Sequence, residues 1–337
     1  MPVRTALLAL TVLIFGSGFA AAEAETTPPT EALGIALEGY PYPYPVAFFE
    51  RTVQGEDVRM AYMDVAPSSD SPRSTVMLLH GKNFFGAYWK STIAALSDAG
   101  YRVVVPDQVG FGKSSKPDIQ YSFHLLASET KALLDSLGVE RTTVVGHSMG
   151  GMLATRFALM YPETTERLVL ENPIGLEDYL RIVPYAPVEA VYKGLLGATY
   201  EGIKSYHQRY YVEWKPAFED YVQVHYRWTL SGAYPRLAWN SALTADMIFT
   251  QPVVHEFPDV AVPTLLVIGQ EDRTRPGANR VPPEVRETMG DYPVLGKKAA
   301  EAIPGSRLVE LENVGHIPHL EVPERLHEIL LGFLEGK

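Results

Sequence analysis

The chemistry of this chain starts at Gly146-His147-Ser148-Met149-Gly150, a Gly-x-Ser-x-Gly pentapeptide preceded by Thr142-Thr143-Val144-Val145 and followed by Gly151-Met152-Leu153-Ala154. A β-branched run, a glycine-flanked serine and a helix-forming run describe a strand, a sharp turn and a helix that present the serine hydroxyl as a nucleophile. Glycine suits both flanks because so tight a turn presses backbone against neighbouring strands and leaves no room for a Cβ. The helix behind Ser148 aims its N-terminal dipole and free N–H groups at the turn, which favours negative charge there. A serine hydroxyl is a weak nucleophile near neutral pH, so it needs a base to take its proton and a carboxylate to orient that base. Both occur downstream. Asp272 follows the apolar run 262–268 and His316 lies in the loop after the run 307–311, so serine, acid and histidine come in that order, each at a strand end.

The elements that must position these groups can be read from the patterning. Residues 46–53 and 58–65 alternate around Gly55-Glu56-Asp57, which predicts a hairpin. Strands are then predicted at 75–79, 101–105, 142–145, 167–170 and 262–268. The first four alternate with helices at 89–99, 123–137 and 149–160, the first two of these ended by Gly100 and Gly138. That alternation specifies a mostly parallel sheet covered by helices on both faces, with chemistry in the loops beyond the strand C-termini. The pattern breaks after the sixth strand, at Asn172-Pro173. Residues 173–258 are rich in aromatics, among them Tyr206, Tyr210, Tyr211, Trp214, Trp228 and Trp239, and read as a helical cap over the active edge. The core therefore comprises 46–172 and 259–337. Its last part holds a long irregular segment with Pro282-Pro283 and Pro293, a helix at 296–302, a strand at 307–311 and a final helix at 323–334.

Composition narrows the classes. A hydrophobic fraction of 46% over 337 residues supports a substantial core. The net charge of -11, with no run of Lys or Arg, argues against nucleic acid as a partner. The absence of cysteine excludes disulfides, thiolate nucleophiles and Cys-ligated zinc. Residues 1–22 have the form of a signal peptide, with Arg4 in a positive start, an apolar run from 6 to 15 and Ala20-Ala21-Ala22 as an A-x-A cleavage site. The mature chain then begins near Glu23 and is periplasmic or secreted, with no stable membrane insertion; the alternative is an uncleaved N-terminal anchor. Residues 23–45 are an extended lead-in, in which Tyr40-Pro41-Tyr42-Pro43-Tyr44-Pro45 suits a strap lying on the protein's own body.

Taken together, His80-Gly81-Lys82, the segment Asp107-Gln108-Val109-Gly110-Phe111-Gly112, the serine pentapeptide, Gly269-Gln270-Glu271-Asp272 and Gly315-His316-Ile317-Pro318-His319 resemble the motifs of the cap-bearing α/β-hydrolases, over roughly residues 75–335. The resemblance implies Ser148 as nucleophile, His316 as general base and then acid, and Asp272 as its orienting partner. It places the oxyanion hole at the backbone N–H groups of Met149 and Lys82. Lys82 departs from the small, apolar or amide residues usual at its position; its ammonium either faces the pocket, favouring an anionic group, or points to solvent. Glu171 is an alternative acid, because some capped relatives carry it after the earlier strand. His319 is a rival base, His80 and His147 suit structural hydrogen bonds, Glu271 is too long and misplaced, and Asp107 suits loop shaping.

A serine nucleophile excludes the aspartate-based dehalogenases and epoxide hydrolases of this group and calls for a carbonyl substrate with a leaving group. The expected activity is hydrolysis of a small to medium carboxylic ester, with no metal or cofactor. Lactone hydrolysis, carbon–carbon bond hydrolysis beside a ketone, and aminopeptidase action are alternatives of the same fold; for the last, Glu171, Glu177 or Asp178 would bind the amine. A non-catalytic ligand-binding protein is the alternative from another class. The identity of the pocket residues that contact substrate is not legible at this level.

Overall fold

The computed structural model describes residues 28–68 and 73–337, so the segment 1–22 expected to be a signal peptide and the first residues of the lead-in lie outside the described residues. Eight strands form one sheet in the order β1-β2-β4-β3-β5-β6-β7-β8. They are β1 (Val46–Val53), β2 (Glu56–Val65), β3 (Thr75–Leu79), β4 (Arg102–Pro106), β5 (Thr142–His147), β6 (Thr165–Glu171), β7 (Thr264–Gly269) and β8 (Arg307–Leu311). β2 runs antiparallel to both β1 and β4, and every pairing from β4 to β8 is parallel. The central strands are apolar on both faces: Val76 to Leu79, Val103 to Val105 and Leu265 to Ile268 are buried, as a helix-covered parallel sheet requires.

Among the described residues, α1 (Lys90–Asp98), α2 (Phe123–Ser136) and α3 (Met149–Met160) connect the first parallel strands. The start of α2 is fixed by Ser122, whose Oγ accepts the Leu125 N–H at 3.0 Å. Between β6 and β7 come α4 (Tyr179–Ile182), α5 (Val188–Leu196), α6 (Tyr200–Gln208), α7 (Glu219–Thr229) and α8 (Tyr234–Thr250), with no strand among them. The chain closes with α9 (Pro283–Arg286), α10 (Tyr292–Ala302), α11 (Pro318–Glu321) and α12 (Pro323–Leu334).

Two local expectations need correction. The hairpin turn is Gln54-Gly55 alone, both at positive φ (51° and 85°), and β2 already resumes at Glu56. A two-residue turn of that hand matches the twist of the strands it joins. The segment around Pro293 is also not wholly irregular, because α10 begins at Tyr292 and takes Pro293 into its first turn, where a missing N–H costs nothing.

The lead-in from Glu31 is a strap. Its Leu33 N–H donates to the Arg227 carbonyl on α7 at 3.0 Å, and Tyr42 stacks on Phe85 of the core, ring centres 5.7 Å apart. Tyr42 Oη donates to Asp107 Oδ2 at 2.6 Å, so one short segment ties the inserted helices to the sheet.

The β5–α3 turn allows no slack. A Cβ on Gly146 would stand 2.1 Å from the Gly150 carbonyl oxygen and 2.8 Å from Ala154 Cβ. Gly146→Ala should cost about 3 kcal/mol or more, because backbone must shift to admit it. Gly194→Ala, where nothing lies within 4 Å of the added carbon, should be neutral or stabilising by up to about 1 kcal/mol. Urea unfolding of the two variants beside the parent protein checks the contrast.

Candidate active site

Ser148 sits between β5 and α3 at φ 56°, ψ −119°, a backbone region that non-glycine residues avoid. Close packing on every side holds it there. A Cβ on Gly150 would meet the Leu79 carbonyl oxygen at 2.2 Å, and one on Gly81 would lie 3.2 Å from Ser148 Cβ. The result lifts the hydroxyl off the sheet edge at the start of α3. Met149 is the first residue of α3, so its N–H has no partner within the helix.

The downstream acid and base reach the same point from the loops after β7 and β8. Ser148 Oγ donates to His316 Nε2 at 3.0 Å, and His316 Nδ1 donates to Asp272 Oδ2 at 2.7 Å. All three residues are buried. The Asp272 carboxylate is itself held: Oδ1 accepts the Thr274 N–H at 2.8 Å and Oδ2 also accepts Asn172 Nδ2 at 2.8 Å. Because this carboxylate only accepts, Nδ1 of His316 carries the proton and Nε2 is left free to take one.

Of the groups that hold His316, sequence reasoning singles out His147 as a structural hydrogen-bonder but not Tyr210 or Tyr88. The His316 ring stacks on Tyr210, centres 5.0 Å apart, and its N–H donates to the Tyr210 carbonyl at 2.6 Å. Its own carbonyl accepts from His147 Nε2 at 2.8 Å, and His147 Nδ1 accepts from Tyr88 Oη at 3.0 Å. Tyr88 Oη in turn accepts the Gly81 N–H at 2.9 Å. This relay links the loop after β3 to the loop after β8. Burial, reinforced by the neighbouring His316 and His319, holds the His147 imidazole well below its ordinary pKa, so it is neutral and its tautomer is fixed. His147 and Asn172 lie in segments that the sequence marks; Tyr88 and Tyr210 are aromatic residues among many and carry no local signal.

The rivals find other partners. Glu171 Oε1 accepts both the His319 backbone N–H (2.9 Å) and Nδ1 (2.8 Å), and the His319 ring stacks on Trp89 at 4.0 Å, so this second acid–imidazole pair is buried beside the triad and spent on packing. His80 accepts the Gln108 N–H at Nε2 and donates from Nδ1 to the Gly81 carbonyl. Asp107 accepts the N–H groups of Gly86 and Lys113 together with Tyr42 Oη, which shapes the loop after β4. Glu271 pairs outward with Arg273.

Beside this site the cap and the loops after β3 and β4 enclose a cavity of ≈50 Å³, lined by Lys82, Phe111, Lys116, His225, Trp228 and Ser241 among others. Of the two possible directions, the Lys82 side chain takes the inward one, and its Nζ donates to Ser241 O (2.8 Å), Ser241 Oγ (3.1 Å) and Thr244 Oγ1 (2.9 Å) on α8. Neither this cavity nor a wider cleft of ≈270 Å³ by Phe123, Arg156 and Gln251 is lined by Ser148, Asp272 or His316 themselves.

A serine on a strand–helix turn, hydrogen-bonded in series to a histidine and an aspartate from the loops after later strands of a mostly parallel sheet, is the arrangement of one hydrolase class. The chain belongs to the alpha/beta hydrolase family, whose model matches residues 76–329. It is similar, at 50% identity and a TM-score of 0.87, to a solved structure of a probable hydrolytic enzyme from Pseudomonas aeruginosa, covering 89% of this chain and 97% of that one. It is 29% identical over 288 residues (83% of this chain, 92% of the relative) to a 2-hydroxy-6-oxononadienedioate/2-hydroxy-6-oxononatrienedioate hydrolase from Paraburkholderia phymatum. To a 2-hydroxy-6-oxo-6-phenylhexa-2,4-dienoate hydrolase from Comamonas testosteroni it is 27% identical over 269 residues, 78% of this chain and 88% of that one.

Two outcomes follow from the geometry. Asp272→Asn would present an N–H toward Nδ1 and force the wrong tautomer, so turnover of any substrate should fall by on the order of 10⁴, while a loss below about tenfold would remove Asp272 from its role. Lys116, buried with its Nζ on the carbonyls of Gly112 and Ser114, has its pKa pushed down to about 7 by burial. Below that value both the folded and the unfolded chain carry the charge, and the folded chain bears the full cost of burying it. As pH rises toward the ordinary lysine value, the folded group is already neutral and that cost is relieved. Lys116→Met should therefore gain more stability over the parent at about pH 6 than at about pH 9, measured by urea unfolding at each pH.

Proposed function

We propose that the protein is a serine hydrolase that cleaves a small to medium carboxylic ester through an acyl-enzyme. The observation that carries this reading is the unbroken hydrogen-bond chain from Ser148 Oγ through His316 to Asp272, built on a strained turn at the head of α3. His316 Nε2 takes the Ser148 proton as Oγ attacks the carbonyl carbon, and the Met149 and Lys82 backbone N–H groups receive the oxyanion. The alcohol leaves with that proton. Water then attacks the acyl-enzyme, His316 takes its proton, and Ser148 departs with it as the acid is released. Asp272 stays ionised throughout and stabilises the imidazolium formed in each half.

The two dienoate hydrolases among the relatives favour a second reading. In it the same serine attacks a ketone, and a carbon rather than an alcohol oxygen leaves with the proton from His316. With its leader removed after Ala22, the enzyme would act beyond the membrane it crosses.

The test is hydrolysis of an ester series of rising acyl length by the parent protein and by Ser148→Ala. Turnover that depends on Ser148 and peaks at a short or medium acyl chain is expected. Equal turnover by both proteins would overturn the role of Ser148; inert esters with consumption of a 2-hydroxy-6-oxo-dienoate would move the activity to the second reading.

A further inference from the structure

The residues lining the cavity beside the triad include two lysines and no aspartate or glutamate. Neither ammonium forms an ion pair among the described residues. Lys82 hydrogen-bonds only neutral oxygens on α8 and lies 6.0 Å from the centre of the Phe111 ring, and Lys116 hydrogen-bonds only the carbonyls of Gly112 and Ser114. Lys116 feels the carboxylates of Asp107 and Glu38 without pairing with either, and Asp107 is already engaged by Tyr42, Gly86 and Lys113. A buried charge without a counter-charge is costly, and dipoles compensate it only in part. Burial alone brings Lys82 down to about pKa 7, and an arriving anion would return its proton.

The remaining wall supplies further donors. Ser241 Oγ accepts from Lys82, and its own proton has no acceptor among the described residues. Trp228 lines the cavity and its Nε1–H is likewise unpartnered among them. Lys82 directly follows Gly81, which abuts Ser148, so the positive chamber adjoins the nucleophile. Its ≈50 Å³ is several times the space one water needs, enough for a small head group.

We infer that this chamber binds a carboxylate carried by the substrate itself, so that the molecule hydrolysed at Ser148 is an anionic ester such as a monoester of a short dicarboxylic acid. This rests on the serine-hydrolase reading for the hydrolysis but not for the binding. The carboxylate displaces the longest Lys82 contact, to Ser241 Oγ, and takes up the Lys82 ammonium and the Ser241 hydroxyl. Lys116 supplies the second positive charge of the chamber. The choice between substrates is then made by charge beside the scissile bond as well as by fit to the cap's aromatics.

The experiment measures binding to Ser148→Ala protein by calorimetry. The probes are the monoethyl esters of succinate, glutarate and adipate, each paired with the ethyl ester of the unbranched monocarboxylic acid of the same carbon count. At least one anionic ester should bind about tenfold or more tightly than its neutral pair, as a charge-assisted hydrogen bond in a dry site provides. Adding Lys82→Gln should bring that ratio close to one. Equal binding of every pair, or a preference that survives both Lys82→Gln and Lys116→Gln, would overturn the inference. Should either lysine variant fail to fold, the ratio of kcat/KM values for the pairs in the parent protein reads the same preference. Preferential binding of the anionic esters without turnover by the parent would sustain the carboxylate site and remove ester hydrolysis; turnover without preference would do the reverse.

Discussion

Ser148 is held at φ 56° because the backbone around it leaves no alternative, and the rest of the site is arranged around that point. A residue in such a conformation costs on the order of 1–3 kcal/mol, and it persists only where packing over-determines it. The close approaches of Gly146 to Gly150, of Gly150 to Leu79 and of Gly81 to Ser148 supply that packing. Gly146 and Gly150 leave no room for a side chain and Gly81 little, so the glycines set how near β3, β5 and α3 can come. The same compression brings the α3 N-terminus and the loop after β3 to one side of the hydroxyl, where negative charge would develop in acyl transfer.

Asp272 and His316 are positioned from a distance, by hydrogen bonds that cross between loops. Asn172 and Thr274 fix the Asp272 carboxylate, while Tyr210, His147 and Tyr88 fix His316 from the other side. These groups leave the imidazole one tautomer and one orientation. The helices inserted between β6 and β7 take part, since Tyr210 follows α6, and the strap through Tyr42 and Leu33 fastens those helices to the core. Lys82 adds a third tie through α8, at the cost of placing a charge where nothing opposite awaits it.

Much of the fold was legible because buried parallel strands announce themselves as continuous apolar runs such as Val103 to Val105, and helix ends as Gly100 and Gly138. The order of Ser148, Asp272 and His316 was legible because each lies at a strand end with its own local signature. Pro293 misled, since proline reads as a breaker while the first helical turn accepts it. Tyr88, Tyr210 and Asn172 could not be found by pattern, because their roles arise from contacts between elements far apart in sequence. The direction of the Lys82 side chain was undecidable for the same reason: Ser241 and Thr244 lie more than a hundred residues away.

The most direct measurement is intact-mass analysis of the protein after exposure to a fluorophosphonate, with the modified peptide identified. An activated serine should take up one phosphonyl group, at Ser148 alone, and the labelling rate should fall by at least about 100-fold in His316→Ala. Modification at another serine, or labelling of His316→Ala at the parent rate, would contradict a triad in which His316 activates Ser148.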